Sequence, residues 1–481
     1  MVFTSLVFLC YFLPITLLGY FLLGFSLPLQ NIWLLATSLV FYAWGEPVYI
    51  FLMLGSIVVN WIIGQVVCKY RDSNRKKAKA FLVIGIVVNV ISLVIFKYLG
   101  FIISNINFFL GSDVIPDPGI SLPIGISFYT FQAMSYVIDV YRGDADSQKN
   151  PLFMGLYIAF FPQMIAGPIV RYNTIAESIR NRKVTFDDVA IGLNRFAIGM
   201  AKKIIIANNL AVVVDMVFEL IKTGRNLYET PALMAWIAAI GYMLQIYYDF
   251  SAYSDMAIGL GRVFGFKFEE NFNYPNVSKS VGEFWRKWHI SLGTWFKEYV
   301  YFPLGGSRVE NQDLMVKNTL IVWLLTGIWH GASWTFVIWG LYNFFFIILE
   351  RMFGFEKWKL PSWVKLIYSQ LVFLFGWVLF RSENIYQLRE CVMDMFMMND
   401  NAFVNDTTIW LLKEYGMIYV LAIVFSAPVY PLAMKKLGEV QGVFSKALSK
   451  TGYVLILSAG VLISVIAMVR GGYNPFIYFN F

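Results

Sequence analysis

The chain has two histidines, His289 and His330, and both fall within residues 283–334, EFWRKWHISLGTWFKEYVYFPLGGSRVENQDLMVKNTLIVWLLTGIWHGASW. Each follows a tryptophan, Trp288 or Trp329, and glycines stand close by at 293, 327 and 331. Imidazole is the side chain best placed to move a proton near neutral pH. A hydroxyl becomes a useful nucleophile only when a base takes its proton as the new bond forms. The pair therefore points to general-base chemistry on a hydroxyl. The same residues would also suit two inert, hydrogen-bonded packing histidines. The setting favours chemistry, because ionisable groups retained in strongly apolar chains usually face a bundle interior and serve a function. Two histidines without a clear third ligand do not make a catalytic zinc site, so no metal is expected.

Composition gives the class. Of 481 residues, 58% are hydrophobic and 14% charged, with mean hydropathy +0.63. Soluble domains carry about 25% charged residues. The expectation is an all-α polytopic membrane protein, a single membrane-embedded domain over 1–481 with a two-histidine core near 247–340. The net charge of +8 is spread over short loops, as positive-inside topology requires, and does not suggest nucleic acid. Cys10, Cys68 and Cys391 are far apart and form neither a disulfide framework nor a metal-ligand spacing. Gly259, Gly261 and Gly265 resemble a dinucleotide loop, but no βαβ unit precedes them and small residues in membrane helices serve close packing. No phosphate-binding loop, nucleophile elbow or zinc-protease motif occurs.

The elements that must position the histidines follow in order. Residues 2–25 are long enough to span a bilayer and lack a basic leader region, so they read as a retained first helix. Runs 31–45 and 48–68 are split at Glu46-Pro47, since proline disfavours helix at the residue before it. The loop KYRDSNRKKAK, residues 69–79, has six basic residues against one Asp. It is placed in the cytoplasm, with the N-terminus outside. Further runs at 80–99, 121–143, 152–170, 190–221, 231–262, 335–350, 365–381, 409–431 and 452–469 give about eleven spans. Residues 100–119 read as the approach to a polar outer loop and 171–189 as an amphipathic surface segment. Run 121–143 carries Ser127, Thr130, Gln132, Ser135 and Asp139 and should face protein rather than lipid. Run 152–170 is interrupted by Pro162, Gly167 and Pro168, and a broken helix at membrane depth needs protein or a cavity beside it. The absence of a visible repeat weakens a transporter built from inverted halves. A scaffold that only anchors an extracytoplasmic enzyme stays open.

Residues 278–303 mix Trp285, Trp288 and Trp295 with Lys279, Arg286, Lys287, Lys297, Glu283 and Glu298. That mixture suits a helix lying at headgroup level. It also suits a re-entrant element that lowers His289 into the bundle, its basic residues holding the phosphates of an anionic donor such as coenzyme A. Residues 247–261, YYDFSAYSDMAIGLG, place Asp249, Ser251 and Asp255 in an apolar run. Asp249, Ser251, Trp285, Arg286 and Trp329 are candidates to line a substrate path, and each could equally serve packing or anchoring.

Several longer motifs occur in a fixed order: MVFTSLVFL at the start, LVFYAWGEP at 39–47, LPIGISFYTFQAMSYVIDVYRG at 122–143, and FFPQMIAGPIVRY at 160–172. YYDFSAYSDMAIGLGR at 247–262, EFWRKWHISLGTWFKEYVYFPLGGSR at 283–308, LTGIWHGASW at 325–334 and a final YNPFIYFNF complete the set. Over nearly its whole length the chain resembles the membrane-bound O-acyltransferases, in the bacterial branch that O-acetylates polysaccharides such as alginate. A close second resemblance is to the members that send D-alanine towards teichoic acids. The resemblance implies a ring of helices around a tunnel, with re-entrant and interfacial helices, in the bacterial inner membrane. It implies His330 as the catalytic histidine, which would be the general base or the transient acyl carrier, and His289 as the second, which would orient or stabilise the acyl carbonyl or the partner proton. It further implies a cytoplasmic acyl thioester donor, acetyl-coenzyme A above all, no bound cofactor, and an extracytoplasmic acyltransferase partner that completes transfer.

Overall fold

The computed structural model describes residues 1–223, 230–307, 311–439 and 443–477. Arg308 and the last four residues of the terminal motif, 478–481, lie outside the described residues. Every regular element among the described residues is helical. Among the described residues, seven helices are long and apolar enough to cross a membrane: Ile50–Arg71, Arg75–Leu110, Phe186–Lys222, Trp334–Met352, Ser362–Arg381, Asp406–Phe425 and Thr451–Val469. Phe8–Leu22 and Leu27–Ala43 are shorter apolar helices. The protein is therefore a polytopic membrane protein. The larger expected number of spans included runs that fold differently. Run 152–170 breaks into Pro151–Ala159 and Phe161–Met164, whereas 231–262 forms one helix as expected, carrying Asp249, Asp255 and Arg262. Residues 100–110, expected to lead into a polar loop, instead prolong the helix to Leu110. A π-turn at Val94–Tyr98 joins the two parts, and Gly111 in the left-handed region ends the helix.

The chain divides into two compact units, Met1–Phe196 with Ser254–Glu270, and Ala197–Tyr253 with Asn271–Phe481. In the first, the break at Glu46-Pro47 separates Leu27–Ala43 from Ile50–Arg71. Helix Ile126–Arg142 buries Ser127, Thr130, Gln132, Ser135 and Asp139. These polar residues therefore face protein rather than lipid, as expected of a polar run at membrane depth. The interrupted segment 154–170 is likewise buried throughout. Asn60 and Asn89 exchange amide hydrogen bonds at 2.7 and 3.2 Å between two apolar helices.

The second unit holds both histidines. The helices that position them are numbered α1 (Ala232–Val263), α2 (Val281–Lys287), α3 (Ile290–Phe296), α4 (Gln312–His330), α5 (Trp334–Met352) and α6 (Ser362–Arg381). Serine caps open α2 and α5: Ser280 accepts from Glu283 N and Ser333 from Thr335 N. Such caps satisfy backbone donors that have no partner inside the helix. The unit also contains a buried ion pair. Lys203, in a π-turn at Lys202–Ala207, lies 2.7 Å from Asp249 Oδ1 on α1. Asp249 Oδ2 accepts from the backbone N–H of Ile477 at 2.9 Å, and Lys203 Nζ donates to the Pro475 carbonyl. The pair thus anchors the C-terminal segment.

Removing one member of a buried pair leaves an uncompensated charge, at a cost of about 3–5 kcal/mol, whereas an apolar replacement of both is often neutral. Lys203→Met and Asp249→Asn should each lower the thermal midpoint of the full chain in detergent by an amount matching that range. The double variant Lys203→Met/Asp249→Leu should lose less than either single variant. Additive losses in the double variant would show that the pair is not coupled.

Candidate active site

His330 is the last residue of α4, and Gly331 continues in an extended conformation. Close crossing of α4 and α5 determines what His330 meets. A Cβ on Gly327 would stand 2.4 Å from the Phe336 carbonyl oxygen, and one on Gly340 would stand 2.5 Å from that of Trp323. Only glycine allows the two backbones this near, the usual reason for small residues where membrane helices cross. The contact brings the His330 ring against Trp339 of α5 at 5.0 Å and Phe380 of α6 at 5.1 Å, both edge-to-face. His330 is 4% exposed.

His289 stands at the joint between α2 and α3. Its backbone lies in the left-handed region, φ 44° and ψ 53°, which a non-glycine residue adopts only when its surroundings enforce it. The joint breaks the segment into two short helices, α2 and α3, with the imidazole buried between them. Phe284, Trp288 and Trp295 are all buried. The imidazole packs edge-to-face on Phe250 of α1 at 4.6 Å. Its Nδ1 is 3.2 Å from Asn271 Oδ1. Burial pushes its pKa down to about 3, so the ring is neutral at physiological pH. Trp329 packs against both imidazoles, with centroids 6.1 Å from His289 and 5.0 Å from His330. The two histidines therefore belong to one aromatic body.

That body extends along α5. Trp285 of α2 donates from Nε1 to Asn343 Oδ1 at 3.1 Å and packs on Trp323 and Trp339. Near the far end of α5, the Glu350 carboxylate accepts the Val281 and Gly282 N–H groups at 2.7 and 3.1 Å. These are the first two residues of α2, where an anion meets both open donors and the positive end of the helix dipole. Phe284 stacks on Phe373 at 3.6 Å and Trp288 packs on Trp377 at 4.9 Å, so α6 closes the other side.

The remaining sequence candidates separate. Trp285 and Trp329 join the histidines. Asp249 neighbours Phe250 in sequence, but its carboxylate is taken up by Lys203 and the Ile477 N–H. Ser251 is buried, and its hydroxyl finds no hydrogen-bond partner among the described residues. Arg286 is 64% exposed and pairs with Glu356 at 3.1 Å. Lys287 pairs with Glu283 at 2.6 Å. Among the described residues, no three His, Cys, Asp or Glu side chains gather as a metal-ligand set. Asn271, Phe250, Trp339, Asn343, Glu350 and Phe380 were not singled out from the sequence. For Asn343 and Glu350 the available signal was a polar side chain in an otherwise apolar run.

Fold and site define a class: a polytopic membrane protein with two buried histidines in an aromatic core. Residues 148–385 match the membrane-bound O-acyltransferase family. The chain is 40% identical to the protein named "Probable alginate O-acetylase AlgI" of Pseudomonas syringae pv. tomato, over 83% of this chain and 76% of that one. A protein of the same name from Pseudomonas putida is 35% identical over the full length of both. The peptidoglycan O-acetyltransferase of Helicobacter pylori is 33% identical over 83% of this chain and 80% of its own. The chain belongs to the membrane-bound O-acyltransferase family. It is an integral membrane O-acyltransferase and works on an acyl donor.

Glu350→Ala would strip the acceptor from two backbone donors at the start of α2, and an unsatisfied buried group costs about 1–3 kcal/mol. The variant should unfold at a lower temperature than wild type, with Glu350→Gln between the two. Gly327→Ala should lower the midpoint too, since overpacking costs about 1–3 kcal/mol. Thermal scans of the purified proteins measure both effects, and an unchanged midpoint for Gly327→Ala would contradict the close crossing.

Proposed function

We propose that this chain is a membrane O-acetyltransferase of the bacterial inner membrane. It takes an acetyl group from a cytoplasmic thioester donor, acetyl-coenzyme A, and passes it across the membrane for O-acetylation of an extracytoplasmic polysaccharide. An extracytoplasmic acyltransferase partner completes the transfer. About eleven membrane-crossing and re-entrant segments ring a central path for the acyl group, within one domain whose core is near 247–340. The observation that carries this reading is the burial of the chain's two histidines in one aromatic body. Similarity to proteins named as alginate and peptidoglycan O-acetylating enzymes supports the acetyl group and the polysaccharide.

In this reading His330 is the general base. It takes the proton of the acceptor hydroxyl as the oxygen bonds to the acyl carbon and the C–S bond of the thioester breaks. The proton then passes to the leaving thiolate. His289 holds the reacting groups in register, and Trp285 and Trp329 wall the path. A water-poor aromatic surround protects the thioester from hydrolysis and strengthens each polar contact made there.

Transfer from labelled acetyl-coenzyme A by the purified protein in lipid tests the reading. His330→Ala should lower the rate per folded protein about 10²–10⁴-fold, the usual contribution of a general base. Equal rates in both proteins would remove His330 from that role. Transfer from an acyl-loaded carrier protein, with none from acetyl-coenzyme A, would replace the donor.

A further inference from the structure

Asn271 lies in the connection between α1 and α2 and is fully buried. Three groups converge on its side-chain oxygen: the backbone N–H of Ser291 at 3.1 Å, the Ser291 hydroxyl at 2.9 Å, and His289 Nδ1 at 3.2 Å. A backbone N–H can only donate, so the amide atom facing Ser291 must be oxygen. That fixes the orientation of the amide. An amide oxygen can only accept, so the hydrogen between it and His289 must sit on Nδ1. In a neutral imidazole carrying hydrogen on Nδ1, the lone pair is on Nε2. The ring is neutral, being buried between aromatic groups. A competing arrangement would have the Ser291 hydroxyl donate to Nδ1. At 3.5 Å that contact is long for such a bond, and it would set two acceptors face to face at 3.2 Å.

The same residue holds the backbone. Asn271 O accepts the Ile290 N–H at 3.0 Å. Asn271 therefore grips the first two residues of α3 as well as the imidazole before them. The left-handed turn at His289 is thus fastened through its ring and through the two residues that follow it.

We infer that Asn271 is the positioning residue that sets His289 in its Nδ1–H tautomer, so that His289 meets the substrates through Nε2 as a hydrogen-bond acceptor. The inference rests on the reading of the two histidines as the acyl-transfer site. It gives that reading a direction. His289 receives an O–H or N–H of the substrates and does not polarise the thioester carbonyl, which needs a donor. A second group must therefore supply any hydrogen bond to the developing oxyanion.

The chain's two histidines make the test direct. Protein labelled with 15N-imidazole and carrying His330→Gln retains only the His289 ring. Nitrogen spectra of that protein in lipid should show a protonated, pyrrole-type Nδ1 and a pyridine-type Nε2. Asn271→Leu should abolish the preference or reverse it, and Asn271→Asp, which keeps an acceptor in place, should preserve it. In the protein with His330 intact, Asn271→Leu should lower kcat about 10–100-fold, as the loss of such supporting partners does. KM should change little, and Asn271→Asp should recover most of the loss. A protonated Nε2 in the His330→Gln protein overturns the inference whatever the activity. Should Asn271→Leu fail to fold, that spectrum and the Asn271→Asp comparison still decide it. Unchanged transfer in His289→Ala, with the expected tautomer, overturns the functional reading instead.

Discussion

Helix α5 is the part on which the candidate site depends. Toward one end, Gly340 meets Gly327 so closely that neither position accepts a side chain, and this contact presents His330 to Trp339. Near the other, Glu350 takes the first two N–H groups of α2, the short helix that leads to His289. Asn343 lies between them and accepts from Trp285. One rigid helix thus sets the placement of both histidines. Glycine contact and a charge-assisted cap are different interactions, but both are short-range and both fail with small displacements.

Burial is the general constraint behind this arrangement. A chain with 14% charged residues in an apolar surround must satisfy its polar groups internally. Lys203 and Asp249 do so as an ion pair that also holds Pro475 and Ile477. Asn60 and Asn89 do so by reciprocal amides. The basic groups near the site, exposed Arg286 and half-buried Lys287, are matched by Glu356 and Glu283. The wall around the histidines is therefore aromatic rather than charged. That suits acyl transfer, in which water competes with the acceptor hydroxyl for the thioester.

The histidines differ in their surroundings. His289 is tied through Nδ1 to an amide oxygen and sits on a strained turn. His330 ends a helix and is packed by rings from α4, α5 and α6. A strained, over-determined residue beside a second group held by rigid helices is how a site keeps its geometry through a reaction.

Much of this could be read in the sequence. Composition and the lengths of the apolar runs determine a helical membrane protein, because a bilayer admits few other backbones. The polar residues of 121–143 require burial, and Pro162, Gly167 and Pro168 require a broken, enclosed segment, as found. The two histidines stand out in the sequence by their rarity and setting. Other features were decided only by tertiary structure. Arg286 and Trp285 are neighbours in sequence, yet one faces outward to Glu356 and the other packs on Trp339. Asp249, a candidate for the substrate path, is held by Lys203, 46 positions earlier (249 − 203). Asn271 reaches Ser291 of α3 from 20 positions away, and Glu350 reaches Val281 of α2 from 69 positions away. Local sequence carries propensity, hydrophobic period and residue chemistry. Which buried donor meets which acceptor depends on how distant helices pack, and only the folded chain determines that.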